Sequence, residues 1–224
     1  MYAFQRETLK GSNQKFHTTM FQSYQPFQGV VRQLVFINVF LFIVTNLPVV
    51  EEMLPYGRDT LACGPLGTPY FQPYQVLTHM FMHGNLPHLL FNMLGLWMFG
   101  SIVEMVWGPQ RFLIYYLTCG LGALAAHLLM QYWGFISPPA FVLGASGAVY
   151  GVLVAFAWHF PERKISLLFP PVTLRAPYMV ALMIGVDLFS GISGYSNGIA
   201  NFAHIGGAAT GLLMLLYWSR GRFR

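Results

Sequence analysis

Residues 144–151 read Gly-Ala-Ser-Gly-Ala-Val-Tyr-Gly, inside an apolar stretch that runs from about 141 to 159. That stretch is about as long as the ~20 residues a membrane-spanning helix needs. Working outward, five more apolar stretches flank it, at about 30–50, 86–104, 112–133, 176–194 and 201–219. Only 8% of the chain is charged and 55% is hydrophobic, against roughly 25% charged in soluble domains. An ordinary soluble domain is thereby excluded. Six spans fill nearly all of the 224 residues. The expected fold is an all-α membrane protein of six transmembrane helices. It forms one domain over 30–219, between a cytoplasmic N-terminal tail (1–29) and a short basic tail (220–224).

The net charge of +5 becomes informative once mapped. Arg6, Lys10, Lys15 and Arg32 precede or open the first stretch. Arg111 separates the second and third, and Arg163, Lys164 and Arg175 the fourth and fifth. Arg220, Arg222 and Arg224 follow the sixth. These eleven fall on one side of a six-span layout, and Arg58 alone falls on the other. The positive-inside rule places that basic side, and both termini, in the cytoplasm. Basic residues that edge membrane spans also argue against nucleic acid as a partner. Residues 1–29 are polar and show no cleavable signal pattern. Cys63 and Cys119 occupy different environments and read as neither a disulfide nor a nucleophile.

The connection over 51–85 is long and mixes Pro and Gly with Leu54, Leu61, Leu66, Tyr70, Phe71 and Tyr74. Long ordered loops tend to be functional, and amphipathic aromatic segments favour the membrane interface. This loop is therefore expected to lie half-sunk in the outer leaflet. Pro87 suits a first helical turn and Asn85 a cap, so His88 and Asn92, four apart, share one face of the second span. The fourth span is expected to begin after Pro138-Pro139. Ser146 then lies either on the order of 10 Å below the surface in a helix that starts at once, or in the first turn of a delayed helix. In the second case it sits beside the free N–H groups of a helix terminus. His204 falls in the outer third of the sixth span, so Ser146, His204, His88 and Asn92 reach similar depth.

Each of these residues has a plainer reading. Ser146 could be a small residue in a packing motif, for which Gly147-x-x-x-Gly151 is a fair match. His204 could be an interface histidine. Polar groups at membrane depth are nonetheless rare and usually functional, and a hydroxyl with an imidazole is the smallest set that makes an activated nucleophile. Gly207 and Gly211 lie one and two turns beyond His204 on its own face and would let a neighbouring helix approach closely. His79 and His83 have chelate spacing, but the pattern has no Glu and no third ligand, so neither a metal nor a cofactor is expected. Asp187, an acid in the fifth span, is a candidate third member of the site or a helix-end cap, and the sequence leaves both open. His127 has no evident partner, and His159 reads as interfacial. Glu104, Gly108 and Arg111 read as an ion-paired turn between the second and third spans.

Together these residues resemble the rhomboid family of intramembrane serine proteases, from about Arg32 to Trp218. His79, His83, His88 and Asn92, in the run THMFMHGNLPHLLFN, match the family's spaced His and Asn pattern. Glu104 and Gly108 match its E-x-x-x-G turn. Gly144, Ser146, Gly147 and Tyr150 match its G-x-S-G motif with the following aromatic. His204, Gly207 and Gly211 match its A-H-x-x-G-x-x-x-G motif. One departure is visible: Tyr74-Gln75 stands where many members carry Trp-Arg, which leaves the anchoring of the loop open.

The resemblance implies a rhomboid-like six-helix bundle with a half-embedded first outer loop. It implies a Ser146–His204 dyad needing no carboxylate, in which Tyr150 stacks under the His204 ring. An oxyanion would be held by His88, Asn92 and the Ser146 backbone N–H, and His79 and His83 would line a water path. The implied substrates are single-span membrane proteins, cut near the outer ends of their spans within the lipid bilayer. The expected location is the bacterial plasma (inner) membrane. The competing reading is a non-catalytic membrane adaptor that binds or routes transmembrane clients. A transporter is disfavoured because the polar residues cluster in the outer half only.

Overall fold

The computed structural model describes residues 29–54, 59–136, 140–166, 171–193 and 201–220. Nearly all of the two expected tails, together with Arg58 and Pro138-Pro139, lies outside the described residues. The frame consists of α1 (Val30–Thr45), α2 (Leu86–Trp107), α3 (Pro109–Tyr132), α4 (Ser146–His159), α5 (Ala176–Ser193) and α6 (Asn201–Arg220). By length and composition α2, α3, α5 and α6 can each cross a membrane. The other two are shorter: α1 has 16 residues and α4 has 14. At 1.5 Å per residue α4 spans only about 21 Å, less than the ~30 Å hydrocarbon layer. Phe36, Phe91, Phe189 and Leu213 point outward from their helices. So many large exposed apolar side chains suit lipid rather than water. A hairpin of β1 (Lys164–Ser166) and β2 (Thr173–Arg175) joins α4 to α5.

Local sequence explains the helix ends. Asn85 Oδ1 accepts from the His88 N–H at 2.8 Å and starts α2, with Pro87 in its first turn. Gly108, at φ 81°, ends α2, and Pro109 opens α3. Within α2, residues Leu96–Gly100 form one π turn.

The expected ion pair between Glu104 and Arg111 is not formed. The Glu104 carboxylate instead accepts from the Val30 and Val31 N–H groups, at 2.7 and 3.0 Å. It thereby caps α1, whose first N–H groups have no partner within the helix and attract negative charge. Arg111 lies over the Trp218 ring, 4.2 Å from its centroid.

α3, α4 and α6 form the centre. Phe112, Tyr115, Tyr116, Ala148 and Val152 are buried among them. At Gly207, α6 passes so close to α4 that a Cβ would collide with the Gly147 carbonyl. Close packing through small residues is what holds helices together in lipid, where water exclusion supplies no drive.

The loop before α2 is organised by Gln75, which is fully buried. Its Oε1 accepts from the Gly64 and Gln72 N–H groups at 3.2 and 2.9 Å. Its Nε2 donates to the Thr60 and Tyr70 carbonyls, both at 3.0 Å. All four bonds go to main chain, so the residue that departs from the family pattern ties the loop to itself. The loop also reaches across to the segment ahead of α4. Cys63 and Val142 exchange both backbone hydrogen bonds, at 2.8 and 2.9 Å, and the Gly144 N–H donates to the His79 carbonyl at 2.8 Å. Cys63 and Cys119 are free and buried, and burial pushes the Cys63 thiol up to about 11.

Candidate active site

Ser146 is the first residue of α4. Residues 141–145 are not helical, so of the two arrangements open from the sequence the structure has the delayed helix. Gly144 sets that geometry. Its φ of 124° lies in the region that favours glycine, and a Cβ there would come within 2.8 Å of the His88 ring. The strands of hydrogen bonding from Cys63 and His79 hold this segment in place. Ser146 consequently sits where backbone N–H groups at a helix start lack helical partners.

His204 lies in the first turn of α6. Its Nε2 is 2.8 Å from Ser146 Oγ, and its Nδ1 is 3.2 Å from Asp187 Oδ2. The Tyr150 ring stacks on the imidazole, with centroids 4.5 Å apart and planes 14° from parallel. One turn onward, Gly207 brings α6 against Gly147 of α4, and that approach sets the distance at which Ser146 and His204 meet. Gly211 continues the same close contact toward Gly151.

The histidine and asparagine of α2 stand to one side. The His88 ring faces Gly144. Asn92 is buried one turn on, and its Nδ2 donates to the His88 carbonyl at 3.0 Å. Its hydrogen bond therefore runs within α2 and not to Ser146, and one of its two amide protons stays uncommitted. His79 Nδ1 donates to the Gln75 carbonyl at 3.0 Å. The His79 ring borders a cavity of about 10 Å³ together with Val142, Gly144, Ser146, Gly147 and Ala203, at the lower limit for one water. His83 is buried, its ring 5.0 Å from that of His88. Neither of its ring nitrogens has a hydrogen-bond partner among the described residues. Burial lowers His79 below the usual histidine range, and burial followed by the positive charge of His88 pushes His83 down to about 3. Both stay neutral near pH 7.

Two residues without a firm assignment from the sequence belong here. Asp187 reaches the site through its side chain, and the signal was its acidity at membrane depth. Asn201, whose Nδ2 donates to the Asp187 carbonyl at 3.1 Å, carried no sequence signal. His159 is at the far end of α4, where it accepts from Trp107 Nε1–H at 2.9 Å. His127 is buried in α3, with no hydrogen-bond partner for either ring nitrogen among the described residues. Chemically, the site offers a hydroxyl in hydrogen-bond reach of an imidazole whose other nitrogen meets a carboxyl group, beside free backbone donors. That set can activate a nucleophile and stabilise an anion.

A family model described as the Rhomboid domain matches residues 70–221. The presenilin-associated rhomboid-like protein, mitochondrial, of Bos taurus is 29% identical over 193 residues, covering 85% of this chain and 48% of that protein. RHOMBOID-like protein 12, mitochondrial, of Arabidopsis thaliana is 32% identical over 212 residues, covering 88% of this chain and 60% of that protein. Rhomboid protease GluP of Bacillus subtilis (strain 168) is 34% identical over 140 residues, covering 62% of this chain and 24% of that protein. The chain thus spans about half the length of the mitochondrial relatives it matches. Their names are at odds with the bacterial plasma membrane expected from the sequence. An integral membrane protein is what the helices and the relatives support together.

Proposed function

Because the chain belongs to the rhomboid family, we propose that it is an intramembrane serine endopeptidase with Ser146 as nucleophile and His204 as base. The observation that carries this reading is the 2.8 Å separation of Ser146 Oγ from His204 Nε2, bridged between two helices 58 residues apart in sequence. Nε2 takes the hydroxyl proton as Oγ attacks a peptide carbonyl. It then returns the proton to the leaving amine, and water hydrolyses the acyl-enzyme by the same route. The Ser146 N–H, His88 and the uncommitted amide proton of Asn92 are the donors for the oxyanion. Tyr150, Gly144, Gly147, Gly207 and Gly211 hold these groups in register, and the cavity beside His79 supplies room for water behind the serine.

In this reading α1 and α4 also cross the membrane, giving six spans in one domain over 30–219. The stretches 1–29 and 220–224 then share the side opposite Ser146. The substrates are single-span membrane proteins that unwind near the Ser146 side. The relative named as a rhomboid protease lends the activity support.

The test uses the full chain in proteoliposomes with a single-span substrate and a fluorophosphonate probe. Ser146→Ala should abolish cleavage and labelling while leaving expression and melting temperature unchanged. Full turnover in that variant would overturn the assignment. A native chain that binds the substrate without cutting it, and that the probe does not label, would make it an adaptor of transmembrane clients.

A further inference from the structure

We infer that Asp187 is a positioning residue for His204, so that this chain works with a Ser–His–Asp relay and not with the two-residue pattern of the resemblance. The inference rests on the reading of Ser146 and His204 given above. Three observations carry it. Asp187 is buried in a membrane helix, where an acid is costly unless it is paired. Its carboxylate oxygen Oδ2 lies within hydrogen-bond distance of His204 Nδ1, at 3.2 Å. Its main-chain carbonyl is held by Asn201 Nδ2 at 3.1 Å, which ties α5 to the start of α6 three residues before His204.

The chemistry follows from what each atom can do. An ionised carboxylate only accepts hydrogen bonds, so Nδ1 must carry the proton. In a neutral imidazole Nε2 is then the lone-pair nitrogen, and at 2.8 Å it can only accept from Ser146. The pairing with Asp187 thus selects the tautomer in which His204 can act as a base. When Nε2 takes the serine proton, the carboxylate faces the resulting imidazolium. Tyr150 stacks on the ring face and blocks rotation out of this plane, but it cannot choose between the two nitrogens. Only the carboxylate can do that.

The test compares Asp187→Asn, Asp187→Glu, Ser146→Ala and His204→Ala in the full chain, with kcat and KM measured separately in proteoliposomes. Asn keeps the shape of Asp but can donate to Nδ1 and so stabilise the wrong tautomer. Asp187→Asn should lower kcat by about 10²- to 10⁴-fold, with KM and melting temperature unchanged. Fluorophosphonate labelling of Ser146 should slow by a similar factor. Asp187→Glu, which restores the acceptor, should recover at least part of kcat. In a His204→Ala background Asp187→Asn should cost nothing further, because the two act as one unit. Native kcat in Asp187→Asn, with Ser146→Ala inactive, would overturn this inference alone. A loss confined to KM, or one that tracks a fall in melting temperature and is not recovered by Glu, would also overturn it. Retained turnover in Ser146→Ala would instead remove the nucleophile assignment on which it stands.

Discussion

The two ends of the α3–α4–α6 core are built in opposite ways. At the end where α4 begins, the helices meet through glycine and alanine, and polar side chains keep hydrogen-bonding capacity in reserve. Among the described residues His83 has two unpartnered ring nitrogens there and Asn92 an amide proton to spare, and a small cavity lies behind Ser146. At the end where α4 finishes, large rings fill the space. Trp107 packs edge-on against Tyr115 and Trp218, with centroids 4.9 and 5.4 Å apart. Several polar groups at this end are engaged: Trp107 donates to His159, the Tyr115 hydroxyl donates to the Gly151 carbonyl at 2.8 Å, and Arg111 covers Trp218. One end leaves a small cavity and hydrogen-bonding capacity. The other uses them to hold four helices together.

The sharpest way to break this contrast is at His204. His204→Ala should reduce turnover by about 10⁴- to 10⁶-fold, with some fall in melting temperature, because the ring also stacks on Tyr150 and meets Asp187. Next comes Asn92→Ala, which should cost roughly 10²–10³-fold in rate while the probe still labels Ser146. His88→Ala should behave similarly. If His88→Ala were inactive while His204→Ala still turned over, the base would have been assigned to the wrong histidine.

Gly207→Leu touches no reacting atom, yet it should lower activity by about 10²-fold, since ~1 Å of misplacement suffices for that. Turnover close to native in this variant would show that Gly207 does not set the approach of α6 to α4.

At the opposite end the expected outcome is inverted. Trp218→Ala should destabilise the protein by about 2 kcal/mol, in line with a partly buried aromatic deletion. Turnover per folded molecule should stay near native. A rate loss as large as that of Gly207→Leu would mean the two ends are coupled.

The smallest effect is a pH dependence at the loop. His83 is held neutral in the fold, with its pKa lowered from 6.5 to about 3. Its folded environment therefore costs nothing above pH 6.5 and destabilises progressively as pH falls below that value toward about 3. At pH 5.5 the loss should be about 1.4 kcal/mol. Melting curves of the native chain and His83→Gln between pH 7 and 5.5 should diverge by that amount, and parallel curves would refute the burial of an uncharged His83.

Much of the site was legible because each motif is local. Gly-x-Ser-Gly, the His and Asn of α2, and His204 with its glycines are visible as patterns within one helix each. The Glu104 contact was not. Its proximity to Arg111 in sequence suggested a pair, whereas its partners are the first N–H groups of α1, more than 70 residues away. Gln75 was visible only as a departure from a pattern. Its four bonds to main chain depend on how the loop folds over it, and no periodicity encodes that.

By itself the sequence determined that this chain is an integral membrane protein and which polar residues stand out as a candidate site. Those properties follow from apolar length, residue type and helical spacing, all of which are local. Only the tertiary structure decided that residues 141–145 stay out of the helix, so that Ser146 opens it. Likewise, only it decided that Asp187 from α5 meets the far nitrogen of His204 instead of capping its own helix. Both outcomes depend on how closely separate helices approach, and that distance is set by contacts among residues far apart in the chain.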